Sequence, residues 1–154
     1  MKKLYVIGSL RNPVIPLVAQ TLRGRLDIEV FDDWYAAGPE ADDYWMSYEK
    51  ERGRSYTEAL QGYAARHVFQ FDKSHLDSAD GTLLVLPAGK SGHLELGYMA
   101  GKGKWTGILL ETEEPDRWDI MYGFASGVFR TLEEVVQALS VGLVEKERCG
   151  RITS

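Results

Sequence analysis

The sequence is poor in the features that mark several large protein classes. It has a single cysteine, Cys149, among 154 residues, so no disulfide can form within the chain, and a reducing compartment fits. It has no dense run of Lys or Arg, and its formal net charge is -5, which argues against a nucleic-acid duplex or an anionic membrane as partner. No apolar stretch approaches the length of a membrane span. Met1-Lys2-Lys3 begins like a signal peptide, but the apolar run behind it is short and broken by Arg11 and Asn12. A cytoplasmic location is expected. Gly-x-Ser-x-Gly and Walker motifs are missing, and His67 and His75 have no ligand spacing, so neither a metal nor a cofactor is expected.

What remains is the composition of an ordinary soluble domain, 44% hydrophobic and 27% charged, which is enough to bury a core and does not read as disordered. Residues 1–154 are expected to form one domain with a loose C-terminal tail. Lys3 to Gly8, Ile28 to Phe31, Thr82 to Leu86 and Trp105 to Leu110 read as short apolar strands, with Gly127 to Phe129 as a brief last one. Between them lie helical patterns. The first starts at Asn12-Pro13 and presents Val14, Leu17, Val18 and Leu22 on one face. A helical stretch from Asp42 carries breaks at Gly53 and Gly62, and a helix leads to Leu76. Another is expected from His93 to Ala100, and a last one opens at Thr131 with Glu134 closing a capping box. Apolar strands alternating with helices predict an α/β fold with a parallel sheet covered on both faces.

In such a sheet ligands gather at the carboxyl ends of the strands, where three polar segments fall: Gly8 to Arg11, Asp32 to Trp34, and Gly89 to Glu95. Gly8 permits close backbone approach, Ser9 offers a hydroxyl, and Arg11 can grip a phosphate or carboxylate. Asp32 can bind a ribose hydroxyl or a base edge, while Trp34 can stack on a base or simply pack in the core. Gly89, Ser91 and Gly92 form a loop whose N–H groups can face a ligand. Glu95 then falls in the first helical turn, as a dipole-complementing acid and capping-box member or as a carboxylate kept ionised for nucleophilic attack. His93, two residues earlier, can carry a proton or contact substrate, although its direction on the helix favours a supporting role. Asp72 lies one turn before Leu76 and supplies a second carboxylate, as glycosidic chemistry tends to need. Asp80 is read as ending its helix. Gly101-Lys102-Gly103-Lys104 resembles a phosphate loop in composition but lies at the wrong end of the sheet.

Three segments together resemble the nucleoside 2-deoxyribosyltransferase superfamily, which includes nucleoside 5′-monophosphate N-glycosidases. They are Tyr5-Val6-Ile7-Gly8-Ser9-Leu10-Arg11; the Asp72-x3-Leu76-x3-Asp80 helix; and Ser91-Gly92-His93-Leu94-Glu95-Leu96-Gly97, followed by the Gly-Lys turn to Lys104. The resemblance implies a flavodoxin-like or Rossmann-like three-layer sandwich with about five parallel strands. It implies Glu95 as the nucleophile on C1′ of a nucleoside or nucleotide, Asp72 as helper at the base, Ser9 and Arg11 as holders of a 5′-phosphate, and no cofactor. A homodimer or higher homo-oligomer would complete the site, with Tyr122 to Phe129 as a candidate contact. The chain departs from the family where a Ser or Asp often stands six residues before the Glu, a position held here by Gly89. Two alternatives stay open: a nucleotide-binding protein without turnover on the same fold, and an NAD glycohydrolase.

Overall fold

The computed structural model describes residues 1–150, with side chains through residue 142, so Cys149 and the expected tail lie outside the side chains described. Five strands form one sheet in the order β2-β1-β3-β4-β5, every neighbouring pair parallel. They are β1 (Lys3–Ile7), β2 (Glu29–Phe31), β3 (Gly81–Val85), β4 (Trp105–Leu109) and β5 (Gly127–Phe129). Strands buried on both faces need no alternation, and β3 is buried along its whole length.

The two faces of the sheet are covered by different helices. Leu4, Val6, Leu83, Val85 and Leu109 point to the layer of α1 (Ile15–Arg25) and α6 (Leu132–Gly150). Tyr5, Ile7, Phe31, Leu84 and Ile108 point to the layer of α4 (Tyr63–Ser78) and α5 (Lys90–Gly101). Adjacent residues such as Leu4 and Tyr5 thus serve opposite cores, because successive side chains on a strand alternate. Between β2 and α4 the chain forms a 3-10 turn (Asp33–Ala37), then α2 (Ala41–Glu51) and α3 (Tyr56–Leu60). Glu49 is buried in this excursion, and Arg54 pairs with it.

Three helix expectations shift. Asn12 and Pro13 precede α1 rather than open it. The Asn12 Oδ1 accepts from the Val14 N–H at 3.0 Å, making a turn that delivers the chain to a helix beginning at Ile15. The buried face of α1 is consequently Ile15, Val18, Ala19 and Leu22, while Val14 and Leu17 are exposed. The third shift concerns α5, which begins at Lys90 with Gly89 as N-cap instead of starting at His93.

The Gly-Lys turn after α5 is structural. Lys104 Nζ donates to the Asp77 carbonyl at 2.8 Å and also to the Ala79 carbonyl, satisfying the end of α4. Asp80 accepts from the backbone N–H groups of Lys2 and Lys3 at 2.7 and 2.9 Å, locking the start of β1 to the start of β3. Replacing Lys104 by Met keeps the aliphatic stem and orphans those carbonyls. The expected cost is about 1–3 kcal/mol, read as a lower urea midpoint with unchanged m-value. An unaltered midpoint would show that water caps α4 equally well.

Candidate active site

A flavodoxin-like order places the reversal of winding between β1 and β3, and a crevice opens there at the carboxyl ends of the strands. Its volume is about 560 Å³, and Ser9, Arg11, Asn12, Leu86, Ala88 and Glu111 are among its walls. The crevice gathers the loops after β1 and β3, as the sequence led one to expect.

The carboxylates assemble elsewhere on the same end of the fold. Glu95 sits six residues past the Gly89 cap, about 9 Å along the helix at 1.5 Å per residue. It is therefore in the second turn, outside the reach of a capping box, and the helix dipole acts there only weakly. The Tyr5 hydroxyl donates to it from β1, and Asp72 on α4 lies close enough for the two carboxylates to feel each other's charge. Burial, then the Asp72 charge, pushes Glu95 up to about 7, against the lowering influence of the Tyr5 hydrogen bond. This corrects the expectation that the helix N-terminus keeps Glu95 fully ionised. Burial also raises Asp72, and it raises Tyr5 far above its ordinary value, assisted by both carboxylate charges.

Tyr5 was not singled out by sequence reasoning. Its signal was present, a phenol within the otherwise aliphatic run of β1, but an aromatic in a strand is ordinarily core. Here its ring is core, 1% exposed and 5.1 Å from Phe31, while its hydroxyl meets Glu95.

The remaining candidates divide. Ser9 lines the crevice, its Oγ accepting from the Arg11 N–H at 3.1 Å. The Arg11 guanidinium turns toward Asp43 at 3.2 Å and the Pro39 carbonyl. Exposed pairs of this kind are worth little, so the arm is easily redirected. Gly89 lines the crevice and Ser91 is exposed beside it. Gly92 turns the other way: a Cβ there would stand 3.0 Å from Leu84 and 3.1 Å from Ile7, so this glycine lets α5 lie close on the sheet and does not face a ligand. Gly8 likewise admits Ile15, since a Cβ would meet that side chain at 2.3 Å. Asp32 is engaged by Arg23, and Trp34 donates its indole N–H to the Val6 carbonyl at 2.8 Å, which makes it a packing residue. His93 bridges two neighbours within the fold. Its Nδ1 faces the Gly89 carbonyl at 2.7 Å, so that nitrogen carries the proton, and in the neutral ring Nε2 accepts from the Tyr122 hydroxyl at 3.0 Å. No group of three or more potential metal ligands exists among the described residues.

No family model matches the chain, and no characterised protein matches it in sequence. Solved structures do match. A conserved protein from Enterococcus faecalis V583 aligns at TM-score 0.60 and 12% identity, over 89% of this chain and 96% of that one. The 2-deoxyribosyltransferase of Bacillus psychrosaccharolyticus aligns at TM-score 0.57 and 17% identity, covering 87% and 90%. The chain has the fold of a nucleoside 2-deoxyribosyltransferase. The CMP N-glycosidase BcmB of Clostridium botulinum shares this fold too, at TM-score 0.53 and 14% identity, covering 90% and 99%. In this deoxyribosyltransferase-like fold, no helix among the described residues is long and apolar enough to cross a membrane.

The raised Glu95 makes a stability prediction with a definite sign. Its folded value lies above the ordinary glutamate value of 4.5, so the native state holds this proton more tightly and loses stability as pH climbs through about 7. Glu95→Gln removes that loss. The variant should melt above wild type at pH 8.5, by up to about 3 kcal/mol, and the two curves should converge below pH 4.5. A difference independent of pH would show that Glu95 is not buried as a charge.

Proposed function

We propose that this chain cleaves or transfers the N-glycosidic bond of a nucleoside or its 5′-monophosphate through a covalent intermediate on Glu95. The observation that carries this reading is the meeting of Glu95, Asp72 and the Tyr5 hydroxyl from three different elements. Nothing in the packing of the fold requires three acidic groups to share a half-buried site, and perturbed groups cluster where chemistry is done. The likeness in fold to a deoxyribosyltransferase and a CMP N-glycosidase agrees with it.

In the proposed reaction the ionised Glu95 attacks C1′. A C1′–O bond to the enzyme forms as the C1′–N bond breaks, and the departing base keeps the electron pair and takes a proton from Asp72, which recovers one from the water or second base that attacks next. Water, or the nitrogen of a second base, then attacks C1′ and releases the carboxylate, with net retention. Tyr5 holds the Glu95 oxygen in line and stabilises its charge, which the site's burial otherwise disfavours.

Incubating wild type and Glu95→Gln with nucleosides and 5′-monophosphates, with and without a free second base, tests this by chromatography. Wild type should release base and the variant should lose at least about 10³-fold in rate; a swapped-base product marks a transferase. The rate should rise with pH through about 7, as Glu95 ionises. In Tyr5→Phe the midpoint should move upward, because the hydrogen bond that lowers Glu95 is gone. A wild type that binds nucleotides yet never frees base would favour the binding-protein reading, and one feature supports that alternative: Glu95 is not among the walls of the crevice.

We also propose that the active form is a homo-oligomer. Leu94 on α5 is 75% exposed next to Glu95, and Ile120 and Phe124 beyond β4 are 89% and 71% exposed, an arrangement that invites a covering surface. Sedimentation should give a multiple of the 17.3 kDa chain mass, and Phe124→Asp should lower it. A wild-type monomer that turns over substrate would refute the oligomer.

A further inference from the structure

The crevice and the carboxylates lie on opposite sides of the sheet. Val85 and Leu109, on the crevice walls, belong to the core shared with α1 and α6, whereas Tyr5, which meets Glu95, belongs to the α4–α5 layer. The crevice nevertheless reaches the rim between the two sides, since Ala88 and Leu110 are walls as well and pack against the α4–α5 core. Gly89 sits on that rim, lining the crevice and capping the helix that carries Glu95 about 9 Å further on. A Cβ at Gly89 would meet nothing within 4 Å, so no side chain crowds the crossing at this point.

Both the size and the lining exceed what a phosphate alone needs. A volume of about 560 Å³ falls among sites that hold whole organic molecules, whereas a phosphate displaces only a few waters of roughly 30 Å³ each. Pro13, Val14 and Pro87 present exposed apolar surface to the crevice, and Val14 is 44% exposed. Charge points the same way. Among the described residues Arg11 is the one cation on the walls, it is turned toward Asp43, and Glu111 adds a negative charge to the same lining. A terminal phosphate carries about −1.5 to −2 at pH 7 and would end against apolar surface beside an acid. A phosphate esterified at both ends keeps a single charge and continues into a group that can cover such surface.

We propose that the substrate is a dinucleotide: Glu95 works on one nucleoside, the phosphates cross the rim at Gly89, and the second nucleoside occupies the crevice. The second base lies on Val14 and Pro87, and the hydroxyls of its ribose donate to Glu111. The chemistry at C1′ rests on the function proposed above, and the fit of a second nucleoside to the crevice does not. On this reading Glu95 is absent from the crevice walls because the crevice holds the half of the substrate that is not cut.

The test compares base release by the full chain within pairs that share the reacting nucleoside: AMP with diadenosine diphosphate, CMP with dicytidine diphosphate, and nicotinamide mononucleotide with NAD. In the pair whose base is accepted, the dinucleotide should have a kcat/KM about tenfold or more above that of the monophosphate, which is about 1.4 kcal/mol. ADP and ADP-ribose, which lack the second base, should gain less than diadenosine diphosphate. Val14→Glu, at an exposed position, should bring the ratio down toward one by placing bulk and charge in the crevice, and Glu111→Gln should lower it in part. The ratio is read within one preparation, so a variant that is merely destabilised does not mimic the result. Monophosphates turned over as fast as dinucleotides would overturn the proposal, and so would a preference that neither variant moves. If no probe loses its base, the glycosidic reading fails and calorimetric titration of wild type decides this one separately: a dinucleotide bound about tenfold more tightly than its monophosphate sustains it, and equal affinity sinks it.

Discussion

The pairing of β1 with β3 in the middle of the sheet is the constraint on which the site depends. That register sets Tyr5 opposite Thr82 and Ile7 opposite Leu84, so both strands offer the same alternate residues to the α4–α5 layer. A slip of one residue would send Tyr5 to the α1 side and bring Leu4 or Val6 beneath Glu95. Asp80 guards against the slip by accepting from the N–H groups of Lys2 and Lys3 just ahead of β1. The same pairing brings the loops after β1 and β3 side by side, which opens the crevice.

With the sheet registered, the helices above it determine the electrostatics. α4 and α5 are joined by Asp77, which receives Lys73 at 2.7 Å, Lys102 at 2.6 Å and the Tyr98 hydroxyl at 2.5 Å. These donors hold its carboxyl well below the usual range. Asp72, on the same helix, has no such company and is raised, as is Glu95 across from it. Acids of one type thus acquire opposite tendencies within two turns of helix: one is surrounded by donors at the surface, the other is withdrawn from water beside a like charge. The first fastens the layer, and the second is kept half-buried beside Glu95.

Much of this was legible in the sequence. The continuous apolar runs gave the five strands, and their alternation with helices gave a parallel sheet, because a strand buried on both faces has no polar side to show. The polar segments at strand ends located the crevice, and the resemblance of the Asp72–Asp80 and Ser91–Lys104 segments to a family's motifs marked the two carboxylates. The sequence left roles open, or misplaced them, where they depended on a distant neighbour. Trp34 and Asp32 sit at a strand end, but Val6 and Arg23 occupy their polar groups. Gly92 looked like a loop glycine until α5 proved to begin two residues before it, pressing it onto Leu84 and Ile7.

The sequence by itself determined the strands and their burial on both faces, since local periodicity and composition suffice for these, and the resemblance of its motifs to a family supplied the short list of acids. Only the tertiary structure decided that Tyr5 reaches Glu95 and that Glu95 is withdrawn from water and raised to about 7. Each of these depends on what lies across the fold, and the identity of a spatial neighbour tens of residues away leaves no periodic trace in the chain.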